Sequence, residues 1–378
     1  MISITEIFIS FLKLGLTAFG GPAMIVYIKE MVVTKKKWLD KENFQEGVAL
    51  AQAIPGATAM QVAGYVGLKT RGIIGGLASF TAFGFPAFLL MLVLSFLYSK
   101  THSIPEVVSL FTGLQVIVVA IVANAFLSFA KPVIKSTGEI AVAILSFILF
   151  MFKLNPFLII IACFIIAQII FRDSTTEKEQ AFKINLYGIG ILLVFIFVGL
   201  FFLYFIDRNL LTLALIMMKI DFFAFGGGYA SLPLMLHEFV ENFKWIDEKT
   251  FMDGIALGQI TPGPIVITST FVGYILYGFS GAVVATVAIF TPSFIILASL
   301  TELSRKIRHS RVFLRGKRGL LASFSGLLLF ATVKFSSAVS WDLIKLCMVL
   351  ISFYALVRRV NILYIVIGGA LFSLYAMH

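Results

Sequence analysis

The chain is written twice. Phe19-Gly20-Gly21-Pro22 returns as Phe225-Gly226-Gly227-Gly228, and each copy runs on into the same longer pattern. In the first half this is Trp38-Leu39-Asp40, Phe44 and Gln52-Ala53-Ile54-Pro55-Gly56. In the second it is Trp245-Ile246-Asp247, Phe251 and Gln259-Ile260-Thr261-Pro262-Gly263. The register holds to the end of each half: Gly75 matches Gly281, Pro86 matches Pro292, Gly113 matches Gly319 and Asn155 matches Asn361. Apolar segments broken by Gly and Pro at corresponding places in two copies point to a membrane transporter, with the breaks as the binding site.

Composition puts that duplicated unit in lipid. Hydrophobic residues make up 60% of the 378 and charged residues 13%, against about 45–50% and about 25% in soluble domains. Apolar stretches near 76–98, 108–130, 184–206, 281–300 and 319–335 approach the roughly 20 residues that cross a hydrocarbon core. The expected fold is therefore an all-α polytopic membrane protein. Its N-terminal apolar run starts at Ile2 without a basic n-region or cleavage site, so it is not read as a removed signal peptide.

Several function classes drop out. Cys163 and Cys347 sit in apolar segments at non-equivalent positions and read as small hydrophobes, not as a disulfide. The four histidines show no metal-ligand spacing, and no cofactor is expected. There is no P-loop, no GxGxxG after a strand and no Ser/His/Asp grouping, so no enzyme is expected. The net charge of +11 marks cytoplasmic loops and anionic headgroups. The bilayer, not nucleic acid, is the expected macroscopic partner, and a homodimer is compatible with the sequence.

Lys and Arg set orientation, and they segregate oppositely in the two halves. The loop after the first break carries Lys29, Lys35, Lys36, Lys37 and Lys41. Its counterpart near 236–250 sets Lys244 and Lys249 against Glu238, Glu241, Asp247 and Glu248. The loop near 99–107 has only Lys100, whereas its counterpart near 302–319 carries Arg305, Lys306, Arg308, Arg311, Arg315, Lys317 and Arg318. The repeats are therefore expected to be inverted, as residues 1–171 and 207–378. A cytoplasmic linker at 172–183 and one linking transmembrane helix at 184–206 join them. The matching orientation has the N-terminus cytoplasmic and the C-terminus outside. It requires 4–28 and 44–66 to enter and return on one face, as re-entrant hairpins or half-helices. A kink in a spanning helix is the alternative.

Pro removes an N–H and Gly relaxes the backbone, so Gly20-Gly21-Pro22, Pro55-Gly56, Gly226-Gly227-Gly228 and Pro262-Gly263 should each end one helix and allow another. Irregular backbone at membrane depth must be buried or line a wet cavity. A half-helix starting there aims unpaired N–H groups and partial positive charge at its occupant, which suits an anion. For one such break, small-residue packing is the simpler reading; four matched breaks favour a site.

Around the breaks, Lys13 and Lys219 occupy the same place in each repeat, in apolar surroundings. Intramembrane lysines mark anion electrostatics, or else snorkel from a helix end. Gln52 and Gln259 precede the Pro-Gly breaks, Gln61 follows the first, and Thr58, Thr261, Thr268, Ser269 and Thr270 flank them. Neutral amides and hydroxyls suit a tetrahedral oxyanion, and they equally serve helix–helix hydrogen bonds. Asp221 either pairs with Lys219 or carries a proton. Glu46 and Asp253 correspond between repeats, and for them stabilisation near a helix N-terminus competes with proton coupling.

Taken together, Phe-Gly-Gly-Pro, Trp-Leu-Asp and Gln-x-x-Pro-Gly, followed by Phe-Gly-Gly-Gly-Tyr and Gln-Ile-Thr-Pro-Gly-Pro, resemble the chromate ion transporter family in its two-domain form. The resemblance spans essentially the whole chain. It implies an inner-membrane carrier that expels chromate and confers resistance, with sulfate as a structural analogue. Carried over onto the family's motifs, Gly20, Gly21, Pro22, Gln52, Pro55 and Gly56, with Gly226, Gly227, Gly228, Gln259, Pro262, Gly263 and Pro264, become the candidate binding residues. Internal symmetry fails at Gly228, where the first half has Pro22, and at Pro264, where it has Ala57. The two half-sites are therefore not expected to be equivalent. Transport of sulfate or another small anion, a channel, and a membrane scaffold without transport are the competing readings.

Overall fold

The computed structural model describes residues 2–18, 22–171, 186–301 and 311–376. The expected cytoplasmic linker at 172–183, the glycines Gly20 and Gly21, and 302–310 of the basic loop lie outside the described residues. Within them the chain is helical, with no strand. Among the described residues, four helices are long and apolar enough to cross a membrane, as expected of a polytopic membrane protein.

The element order repeats. The first copy is α1 (Ile4–Thr17), α2 (Pro22–Lys29), α3 (Lys41–Ala51), α4 (Thr58–Thr101), α5 (Pro105–Val133), α6 (Thr137–Met151) and α7 (Pro156–Ile170). One extra helix, α8 (Leu186–Ile206), follows; it falls on the expected linking segment. The second copy is α9 (Arg208–Phe223), α10 (Ser231–Met235), α11 (Glu248–Ile260), α12 (Thr268–Leu300), α13 (Arg311–Ala338), α14 (Leu343–Val357) and α15 (Ile362–Ala376). Local detail is duplicated as well. α2 and α10 each run on into a wide π turn, Glu30–Lys35 and Leu236–Asn242. Each π segment leads into a left-handed lysine, Lys37 at φ 53° and Lys244 at φ 53°. An aspartate then caps the next helix: Asp40 accepts the Asn43 N–H at 2.7 Å and Asp247 the Thr250 N–H at 3.0 Å.

α4 and α12 are not straight rods. At Arg71–Gly72 and at Tyr277–Gly278 the backbone leaves helical geometry, with Gly72 at φ 62° and Gly278 at φ 59°, a region L side chains rarely adopt. The chain folds back there, because a Cβ on Gly67 would lie 2.1 Å from the Gly75 carbonyl oxygen, and one on Gly273 would lie 2.2 Å from that of Gly281. Residues eight apart touch only across a tight helical hairpin; along one helix they would be about 12 Å apart. Each long helix is thus preceded by a short half-helix that starts at the Pro-Gly break. The sequence reading did not place this reversal.

The chain divides into two compact units, and neither coincides with a sequence repeat. One comprises Met1–Leu92, Asp173–Gly228 and Pro262–Leu314; the other comprises Val93–Arg172, Tyr229–Thr261 and Arg315–His378. In the first unit α9 lies along α12, and Gly15 of α1 sits against the Phe83 backbone. In the second unit α5 packs on α14 and α15. There Gly113 abuts Ser373, and the matched Gly319 of α13 abuts Cys163 and Ala167 of α7. Each repeat therefore completes its core with helices of the other.

Candidate functional site

Within the first unit, two hydrogen bonds join the breaks of one repeat to those of the other. The Gly56 N–H donates to the Ala224 carbonyl at 2.9 Å, and the Gly263 N–H donates to the Ala18 carbonyl at 3.0 Å. Ala18 and Ala224 are the residues just before the two Phe-Gly-Gly motifs, so the crossing is reciprocal. Gly56 at φ 105° and Gly263 at φ 104° hold a backbone that only glycine adopts without strain. Gly226 and Gly227 are also at positive φ, 100° and 103°. A Cβ on Gly227 would lie 3.4 Å from Thr58 Oγ1, at the first residue of α4. The bare backbone of the second-repeat break thus faces the N-terminus of the first-repeat half-helix, where unpaired N–H groups gather. Gly228 packs on Ile265 and Val266, the 3-10 turn that follows Pro262, Gly263 and Pro264.

One side of the crossing is polar. Asp221 of α9 is 1% exposed, and its carboxylate accepts the Ser293 N–H at 2.7 Å. Pro292 explains the free donor, since proline disturbs the helical ladder at that point. Asp221 is therefore held by α12, not by the adjacent Lys219, which is half-buried. Gln61 is fully buried and donates through Nε2 to the Pro55 carbonyl, while its Oε1 has no partner among the described residues. Gln52, at the C-cap of α3, is exposed. Gln259, in the second unit, keeps a buried Nε2 without a partner among the described residues. Ser293 escaped the sequence reading; its signal was its place directly after the matched Pro292.

Lys13 lies elsewhere in the first unit. It lines a cavity of about 920 Å³ with Glu6, Ser10, Glu30, Lys35 and Lys36. Lys36 pairs with Glu6 at 2.8 Å and Lys35 with Glu30 at 2.9 Å. Pro55, Gly56 and Gly226 to Gly228 are not part of its wall.

The second unit holds a separate polar centre. Asp253, in the second turn of α11, is 5% exposed. It accepts hydrogen bonds from the Tyr98 hydroxyl at 2.9 Å and from Gln115 Nε2 at 2.8 Å. These three line a cavity of about 260 Å³ together with His102, Lys249 and Lys345. Asp253 thus ties α11 to the last turn of α4 and to the body of α5. Its counterpart Glu46 is half-buried on α3. Among the described residues no cluster of His, Cys, Asp and Glu could hold a metal.

Comparison with known proteins places the chain in a family. The chromate transporter family model matches residues 5–168 and again residues 211–374. The chain belongs to the chromate transporter family. The double match is the internal duplication read from the motifs. An uncharacterized transporter of Methanocaldococcus jannaschii is 46% identical over 371 residues, 97% of this chain and 92% of that protein. A probable chromate transport protein of Synechococcus elongatus is 31% identical over 76% of this chain and 72% of its own length. The chromate transport protein of Cupriavidus metallidurans is 28% identical over 99% of this chain and 93% of its own length. No solved structure matches the chain. This member of the chromate transporter family is accordingly an integral membrane transport protein.

Proposed function

We propose that the protein carries chromate out of the cell across the plasma membrane, binding the oxyanion where the breaks of its two repeats cross. The observation that carries this reading is the reciprocal pair of hydrogen bonds, Gly56 to Ala224 and Gly263 to Ala18. They gather glycine-only backbone and the N-terminus of a half-helix in one place. Such an N-terminus offers N–H donors and roughly +0.5 charge. Gly226 and Gly227 let an anion reach it without meeting a side chain. Pro262 and Pro264 shape the same neighbourhood, and Lys13 and Lys219 add positive potential along its approaches. A dianion leaving an inside-negative cell gains about 2.3 kcal/mol per charge per 100 mV, so export runs with the potential.

Inverted repeats support alternating access in this reading. The hairpin 22–57 belongs to one compact unit and 229–261 to the other. Exchange of their environments would open the site first to one side and then to the other. Sulfate is the second substrate, because it shares the tetrahedral dianion geometry of chromate.

The test is chromate flux into or out of liposomes under an imposed potential. Flux should saturate with concentration. Gly227→Leu should reduce it at least tenfold at equal protein level, because the side chain would meet Thr58. Wild-type flux in that variant would move the site elsewhere. Flux linear in concentration would replace the carrier with a channel, and absence of flux of either anion would leave the scaffold reading.

A further inference from the structure

The crossing at Gly56 and the crossing at Gly263 are built from equivalent backbone but from different side chains. At Gly56 a Cβ would lie 2.4 Å from Ser293 Cβ, 2.9 Å from Ser293 Oγ and 3.0 Å from Gln61 Nε2. Ser293 in turn holds the Asp221 carboxylate. At Gly263 the neighbour is the Ala87 methyl, at 2.7 Å. Ala87 is the counterpart of Ser293, since both follow the matched prolines Pro86 and Pro292. Gly15 is the counterpart of Asp221, counting back from the matched phenylalanines. Ile267 is the counterpart of Gln61, counting back from the matched Gly67 and Gly273. Asp, Ser and Gln on one side thus answer Gly, Ala and Ile on the other. The apolar side makes the same crossing hydrogen bond, so the fold does not need the polar set.

The polar set has a surplus of acceptors. Asp221 is buried, and the described donors to its carboxylate all come from one residue, Ser293. Gln61 Oε1 is buried without a donor among the described residues, on an amide whose Nε2 already serves the Pro55 carbonyl. The Ser293 hydroxyl lies 3.2 Å from the Phe290 carbonyl and also faces the Asp221 carboxylate, and its oxygen keeps its lone pairs. No lysine or arginine pairs with this carboxylate among the described residues. A buried carboxylate without a cation is costly, and an orphan buried acceptor beside it adds to the cost.

We propose that Asp221, Ser293 Oγ, Gln61 Oε1 and the Pro55 carbonyl form a binding site for a small monovalent cation, Na+, beside the oxyanion site. Hard oxygen donors drawn from a carboxylate, an amide, a hydroxyl and an unwound backbone carbonyl are the set that holds a coupling cation in broken-helix carriers. The role as coupling ion rests on the transport reading above; the binding site does not.

The first experiment needs no transport. The purified full chain is unfolded thermally in NaCl, in KCl and in choline chloride at equal ionic strength, and 22Na+ binding is measured in parallel. Na+ should raise the midpoint saturably and choline should not. Asp221→Asn keeps the shape and should weaken Na+ binding at least tenfold, and Ser293→Ala should weaken it severalfold. If Asp221→Asn fails to fold, Gln61→Met keeps the carboxylate and should still lower Na+ affinity. Equal midpoints in NaCl and choline would overturn the site, as would Na+ binding that survives Asp221→Asn and Gln61→Met. A midpoint that follows pH but not Na+ would overturn it in favour of a proton. Chromate flux then separates the two readings. Na+ binding without flux keeps the site and removes the transporter, whereas flux indifferent to a Na+ gradient keeps the transporter and removes coupling.

Discussion

The hairpins 22–57 and 229–261 are the same structure in two environments. Both have the π turn, the left-handed lysine, the aspartate cap and the helix that ends at a Pro-Gly break. In α11 every residue from Phe251 to Gly258 is buried, and the helix packs on α5 and α15 inside the second unit. In α3 only Phe44, Gly47, Leu50 and Ala51 are buried. Its apolar face meets Tyr65 and Leu297 inside the first unit. One repeated sequence thus specifies one local conformation and tolerates two degrees of burial. A single rigid role for this hairpin would not need that tolerance.

The comparison can be broken by substitutions made in matched pairs. The largest effect is expected at the crossing glycines. Gly56→Ala forces a side chain into a backbone reserved for glycine, at about 1–3 kcal/mol, and drives it onto Ser293, so about 3 kcal/mol or more of stability should be lost. Gly263→Ala carries the same strain but meets only the Ala87 methyl, and should cost less. Thermal midpoints in detergent compare them; equal losses would mean that the two crossings are energetically alike.

Next come the buried carboxylates. Asp253→Ala strands the Tyr98 hydroxyl and the Gln115 amide, at about 2–3 kcal/mol, because each unsatisfied buried group costs about 1–3 kcal/mol and the adjoining cavity admits water. Glu46→Ala on the more open hairpin should cost under about 1 kcal/mol. A larger loss at Glu46 would reverse the ranking of the two hairpins.

The lysines sharpen the functional half of the comparison. Lys219→Met and Lys13→Met keep the apolar stem and remove the charge. A charge-assisted contact is worth about 1.5–3 kcal/mol, so half-saturation for chromate flux should rise about ten- to a hundredfold. Unchanged half-saturation in both variants would shift anion binding entirely to backbone N–H groups.

The smallest effect tests sameness. Asp247→Ala should cost about 1 kcal/mol as a lost N-cap, and Asp40→Ala should fray α3 in the same way. The N–H and side-chain amide of Asn43 hold the Asp40 carboxyl below the usual carboxylate range. Its folded pKa is thus below the unfolded one, so its contribution is complete above about pH 3.9 and is lost as pH falls through the depressed value. Hydrogen exchange in the first turns of α3 and α11 reads both; a cap that matters in one hairpin alone would break the local equivalence.

Much of this was legible from residue order, because duplication, helix breaking and capping are local. The matched Phe-Gly-Gly and Pro-Gly pairs located the breaks, and apolar runs located the long helices. The aspartates at 40 and 247 stand where caps belong. The reversals at Gly72 and Gly278 were less legible, because a lone glycine in an apolar run also fits a straight helix. Ser293 was invisible for a different reason: its N–H matters only because Asp221 stands across from it on another helix.

The sequence by itself therefore determined an all-helical membrane chain of two equivalent copies, each with its breaks in fixed places. Only the tertiary structure decided which break meets which. It set Gly56 against Ala224 and Gly263 against Ala18, and it gathered Asp221, Ser293 and Gln61 around one crossing while Gly15 and Ala87 belong to the other. Helix formation depends on neighbours a few residues apart, which the order of residues records. Partnership between segments some 170 to 250 residues apart depends on burying apolar faces and satisfying backbone groups in the assembled fold, and no local pattern encodes it.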